Sequence, residues 1–144
     1  MSRLIATLLI ATLGIFALAC GTSGGDAGTA ATDTGKAIKS GPAGNNLTVT
    51  LASADGVLRN GKNNLTLKFA DASGKTVDVG AAALNFHMPH GSTSMNNPAT
   101  LTTTGTPGVY SGNVNLEMGG EWQAQITYQG PAGTGKATLP VTAQ

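Results

Sequence analysis

The sequence predicts an all-β fold, an immunoglobulin-like antiparallel β-sandwich of about seven strands. Three observations carry that prediction. Apolar and polar residues alternate along the last hundred or so residues, which is the pattern of half-buried strands. Turn residues recur between the alternating runs: Asp55-Gly56, Asn60-Gly61, Ser73-Gly74, Pro107-Gly108, Gly119-Gly120 and Gly130-Pro131. No 3.6-residue period follows the N-terminal apolar run.

The chain opens MSRLIATLLIATLGIFALAC. One basic residue, Arg3, precedes an apolar stretch from Leu4 to Ala19, which reads as a secretory signal over residues 1–19. It is shorter than the ~20 apolar residues of a spanning helix. Cys20 is the only cysteine, so no disulfide can form within the chain. Ala17-Leu18-Ala19-Cys20 resembles a bacterial lipobox, with Ala17 where Leu is usual, and this implies lipidation of Cys20. Attachment through acyl chains gains about 0.8 kcal/mol per buried CH₂. The expected location is the bacterial cell envelope, lipid-anchored and facing the periplasm or the exterior.

Residues 20–45 are Gly, Ala, Thr, Ser and Asp with Ile38 as the one large apolar side chain. Such a stretch buries too little surface to offset its ordering entropy, so it reads as a flexible tether. The strands of the domain, residues 46–144, then follow in order. Leu47, Val49 and Leu51 alternate with threonines in strand one, Asn46 to Ser53. Leu65, Leu67 and Phe69 mark strand two, and Leu84, Phe86 and Met88 mark strand three, Ala81 to Met88. Ala99 to Thr103 is a weaker strand. Tyr110, Gly112, Val114 and Leu116 form the fifth, Trp122 to Tyr128 the sixth, and Ala137, Leu139 and Val141 the last. Trp122 is the expected core anchor.

Composition and motifs exclude several functions. Eight Lys+Arg lose Arg3 with the signal, leaving seven against seven Asp+Glu. A neutral domain has no electrostatic footprint for nucleic acid. Gly130 to Lys136 nearly spells a phosphate-binding loop, but Ala137 replaces the required hydroxyl residue and a strand follows where a helix is needed. It reads as a hairpin loop. No nucleophile elbow is present, and the seven acidic residues are scattered with only Glu117 and Glu121 near each other, so no enzyme is expected. The four-residue echo NNLT at Asn45 and Asn63 is too short for a repeat architecture.

One stretch stands apart. Asn85-Phe86-His87-Met88-Pro89-His90-Gly91-Ser92-Thr93-Ser94-Met95 holds both histidines and two of the three methionines other than Met1. If neighbouring strands run antiparallel, strands three and five finish at the same pole. His87, Met88, His90, Met95 and Met118 then converge there. By side-chain parity Met88 and Met118 continue inward faces, while His87 points the other way unless Pro89 ends the strand early and twists it inward to join the metal donors. His90 and Met95 are expected in a loop from Pro89 to Asn97, free to turn inward. Thioether and imidazole together make a soft donor set that favours Cu(I), and imidazole also suits Cu(II). Zinc would more usually recruit Cys or carboxylate, and a blue-copper centre needs a Cys thiolate. Taken one by one, a core methionine is more often filler and a strand histidine more often a surface residue.

The region from about Leu47 to Thr142 resembles the YtkA-like domain family, which is related to FixH-type proteins. The residues that carry the resemblance are the strand into Phe86-His87-Met88-Pro89, the Met/His stretch after it, and Gly108-Val109-Tyr110-Ser111-Gly112. Leu116-Glu117-Met118-Gly119-Gly120-Glu121-Trp122 is close to the family's Met-x-Gly-x-Trp pattern. The resemblance implies an immunoglobulin-like, exported or membrane-attached domain linked to copper handling and oxidase assembly. It implies copper ligands at Met88, His90, Met95 and Met118, with His90 standing where a second Met is common. The expected partners are a copper ion, the membrane through the lipid anchor, and an envelope protein that donates or accepts copper. With the tether entering strand one at the far pole, the site is expected to face away from the anchor. The alternative is a non-metal immunoglobulin-like interaction module of an envelope assembly, with Met88 and Met118 as packing.

Overall fold

The computed structural model describes residues 35–144. The expected signal at residues 1–19 and the expected lipidation site, Cys20, lie outside the described residues. Eight strands run in chain order: β1 (Lys36–Gly44), β2 (Leu47–Ser53), β3 (Gly61–Ala70), β4 (Ala81–His90), β5 (Thr93–Thr103), β6 (Val109–Leu116), β7 (Gly120–Gly130) and β8 (Gly133–Ala143). Every pairing is antiparallel, in the order β1-β2-β3-β6-β5-β4-β7-β8. The all-β sandwich is therefore observed, nearly closed, with one strand more than the alternation foretold.

The additional strand is β1, and it corrects the boundary of the tether. Residues 36–44 pair with β2 along its whole length. Their sequence, KAIKSGPAG, shows no alternation, because β1 is an edge strand with only Ala43 fully buried and Ile38 packed in part on the core. Two register shifts bend it, and Pro42 and two lysines keep its outer edge from recruiting another chain. It lies against β8 without a hydrogen-bonded ladder. Gly41 permits that approach, since a Cβ there would strike the Leu139 side chain.

The hairpins explain the local order. Asn45 and Asn46 both adopt left-handed φ, 52° and 57°, as the tight turn between β1 and β2 requires. Asn45 also donates to the Tyr128 hydroxyl at 3.0 Å and to the Thr134 carbonyl, tying the turn to the far sheet. The segment expected as a loop from Pro89 to Asn97 is instead a continuous hairpin. His90 pairs with Thr93 across Gly91-Ser92, and Met88 pairs with Met95. Gly91, at φ 56°, makes a two-residue turn possible, so the strands run on to it. The Gly130–Lys136 stretch is likewise a hairpin, with Gly130 opposite Gly133.

The core lies between the two faces. Trp122, Phe69, Phe86, Leu51, Leu58, Leu67, Leu116 and Ile126 are its largest fully buried side chains. Phe69 meets Tyr110 and Tyr128 edge-on at 6.0 and 5.3 Å between centroids. The buried asparagines are satisfied. Asn63 donates to the carbonyls of Arg59 and Gly61 and accepts from the Arg59 amide, and Asn97 donates to the Asn115 carbonyl. Residues 35–144 thus close one complete core, with all of its strand pairing internal.

Adding β1 also reverses one geometric expectation. Strand directions alternate around the sheet, so β4 and β6 end at one pole and β5 and β7 begin there. β1 begins at that same pole, since Lys36 pairs with Ser53 at the end of β2. The chain therefore enters the domain at the pole of the Met/His stretch, not opposite to it.

Candidate metal centre

Strand β5 changes partner midway, and this shapes the site. Its first half, Thr93 to Ala99, pairs with β4, and its second half, Thr100 to Thr103, pairs with β6. Below Thr100 the β5–β6 ladder stops, and the Asn97 side chain bonds the Asn115 carbonyl in its place. Between Thr100 and the pole no ladder joins β5 to β6, and that unladdered end is the mouth of the candidate site. On the opposite side the pole is plugged. Leu58, fully buried, bridges to Ala143, the Gln144 amide donates to the Leu58 carbonyl, and the Asn60 amide donates to the Gln144 carbonyl.

The expected residues fall in different places around that mouth. Met88 and Met95 are cross-strand partners on the inner face, Met88 only 6% exposed and Met95 half-buried against the core. His90 shares their parity one step nearer the rim and is exposed. Met118 follows the end of β6 at the same pole and is the one large exposed hydrophobic side chain among the described residues, at 36%. His87 does not join them. Its parity puts it on the outer face of β4, half-buried, where Nδ1 and the Asn96 Oδ1 share a hydrogen bond at 3.0 Å. Asn85 donates to Asn96 and to Gln125 beside it, so His87 belongs to a polar ladder across β5, β4 and β7. The strand continues past Pro89 to His90, so nothing twists His87 inward.

The turn after β6 contains residues that reading by residue type passed over. The Trp122 indole N–H donates to the Met118 carbonyl at 3.2 Å, fixing the turn that carries Met118. Gly120 has φ 127°, and a Cβ there would stand 3.2 Å from the methyl of the Met88 thioether. Glu117 and Glu121, both exposed, flank Met118 on either side. The Gly119-Gly120 pair was visible as a turn signal, but what it abuts depends on β4.

Among the described residues, no group of three or more His, Cys, Asp or Glu is placed to hold a metal. Of the expected donors, Met88, Met95 and Met118 lie at this pole with His90 as the single nitrogen, so a site there would be thioether-led. Thioethers are weak, uncharged, soft ligands, so this donor set suits a soft monovalent cation and discriminates against hard divalent ones. On the outer side of the same end, Lys39, Pro89, Glu121 and Pro140 line a groove of about 260 Å³ that none of the sulfur candidates reaches.

The family model described as YtkA-like covers residues 43–127, a span that contains His87, Met88, His90, Met95 and Met118. No curated protein matches the chain.

Proposed function

The chain belongs to the YtkA-like family, and from that premise we propose that it is a lipid-anchored envelope protein that binds copper. It buffers the ion or passes it to a partner protein. Copper is cargo here, and the chain supplies ligands, not catalysis. The observation that carries the reading is the cross-strand pairing of Met88 with Met95 on the inner face, with His90 and Met118 at the same open pole. Cu(I) is the preferred form, because thioethers predominate; Cu(II) would lean on His90. His87 is set aside as a ligand of this site, since it faces away.

The chemistry of such a site suits reversible loading. Thioethers carry no charge and release no proton on binding, so exchange costs little. A mouth at a strand end lets a partner's ligands approach. The test is a Cu(I) titration of the chain from residue 20 on, carrying Cys20→Ser, against a chromophoric chelator. The wild type should compete stoichiometrically. A His90→Ala/Met95→Ala double variant should lose at least about tenfold in affinity, 1.4 kcal/mol. Failure of the wild type with both Cu(I) and Cu(II) would overturn the copper reading. It would leave the interaction module, which the near-complete burial of Met88 in the core favours.

A further inference from the structure

We propose that the turn Glu117-Met118-Gly119-Gly120-Glu121-Trp122 is the loading gate of the copper site: Met118 captures the ion, and the missing side chain of Gly120 is the aperture through which it reaches Met88. The proposal rests on the copper reading and assigns an entry role to Met118 and positioning roles to Gly120 and Trp122, which are not themselves ligands.

Four observations meet at this turn. Met118 is exposed while Met88 is nearly buried, so the methionines at this pole differ in access to solvent. Gly120 stands over Met88: a Cβ there would lie 3.2 Å from the thioether methyl, tighter than ordinary packing, so it would crowd the Met88 thioether. The Trp122 N–H holds the Met118 carbonyl, so the backbone that carries the capturing side chain is fixed two residues before the aperture. Glu117 and Glu121 bracket Met118 and lie on the outside of the turn, where carboxylates raise the local concentration of cations. Lys39 lines the groove with Glu121, and Lys62 stands opposite Asn115 near the end of β6.

Loading is then ligand exchange without redox change. The Met118 sulfur binds the arriving Cu(I) and displaces one of its carrier ligands. The Met88 and Met95 sulfurs add as the remaining carrier ligands leave, and the ion keeps its charge throughout. Trp122 and Gly120 are positioning residues.

Ag(I), a soft monovalent ion that does not change oxidation state, is the probe. The chain from residue 20 on, carrying Cys20→Ser and labelled at the methionine methyls, is titrated and followed by NMR. Trp122, the only tryptophan, reports binding rate by stopped-flow fluorescence. In the wild type, the methyls of Met118, Met88 and Met95 should all shift. In Gly120→Ala the Met118 methyl should still respond while Met88 does not, with affinity lower by about tenfold or more. An unchanged Met88 response at unchanged affinity would overturn the gate. Should Gly120→Ala not fold, because φ 127° strains an alanine, Met118→Leu decides. The expected result is a binding rate about tenfold slower with Met88 and Met95 still shifting, and an unchanged rate would overturn the gate. If no methyl of the wild type responds, the copper reading falls and the gate with it; if the methyls respond but both variants load as wild type, only the gate falls.

Discussion

Asn45 and Asn63 begin the same four-residue echo, yet they do unrelated work. Asn45 bends a hairpin at positive φ and reaches Tyr128, whereas Asn63 is buried and stitches the Arg59–Gly61 turn to β3. Residue type alone does not give a role; the partner does. The methionines show the same. Met118, exposed, should be the first to form sulfoxide under dilute peroxide, Met95 the second and Met88 the last, as mass spectrometry of peptides would resolve. Added Cu(I) should protect Met118 if it is a ligand. Stability should follow burial in the opposite sense. Trp122→Ala should cost about 3–5 kcal/mol in urea unfolding, whereas Met118→Ala should stay within about 0.5 kcal/mol of wild type.

At the scale of elements, β1 decides whether the domain is whole. It covers the edge of β2 and buries Ala43, so a chain starting at residue 46 leaves that edge bare. Such a chain should unfold at lower urea and aggregate on concentration, and light scattering against the chain from residue 20 checks this. The β2–β3 connection carries the one ion pair found among the described residues, Arg59 to Asp55 at 2.6 Å. The Arg59 hydrogen bond, helped by the Val57 amide, pulls the Asp55 carboxyl down from 3.8 to about 2. A carboxyl lowered by folding adds stability that is present above its ordinary pKa and is lost as pH falls through the folded value. Wild type should therefore lose stability between pH 3.8 and about 2, and Asp55→Asn should show a shallower loss across that window. The pair is exposed, so the difference should be small.

At the scale of the molecule, the chain enters where the candidate site opens. If Cys20 carries the anchor, the Met/His pole lies toward the bilayer and the opposite pole, with Thr104 and Asn45, away from it. Strands of about ten residues hold the two poles roughly 30 Å apart. In membranes bearing lipid-attached quenchers, a fluorophore at Ser92 should be quenched more than one at Thr104. Equal quenching would refute the orientation. A site turned to the bilayer suits exchange with a membrane-embedded partner better than with one in the open compartment.

Much of this was legible in the residues. Alternation marked β2, β3, β4, β6, β7 and β8, because a strand with one buried face writes its burial into every second residue. The clustering of His and Met was legible too, but the place of His87 was not, because the twist at Pro89 that would turn it inward does not occur and β4 runs on to His90. β1 was not, since an edge strand that packs on glycine and proline leaves no period. The length of β5 was not, because Thr93–Thr103 gains its pairing from β4 and then β6, and neither partner is adjacent along all of it. The sequence by itself thus determined the all-β class, the core and the clustering of His and Met, which are local properties of alternation and side-chain type. Only the tertiary structure decided that the stretch is a hairpin and not a loop, that Gly120 stands over Met88, and that the chain enters at the site's own pole. Those depend on register and strand count summed around the whole sheet, and one unseen strand reverses the last of them.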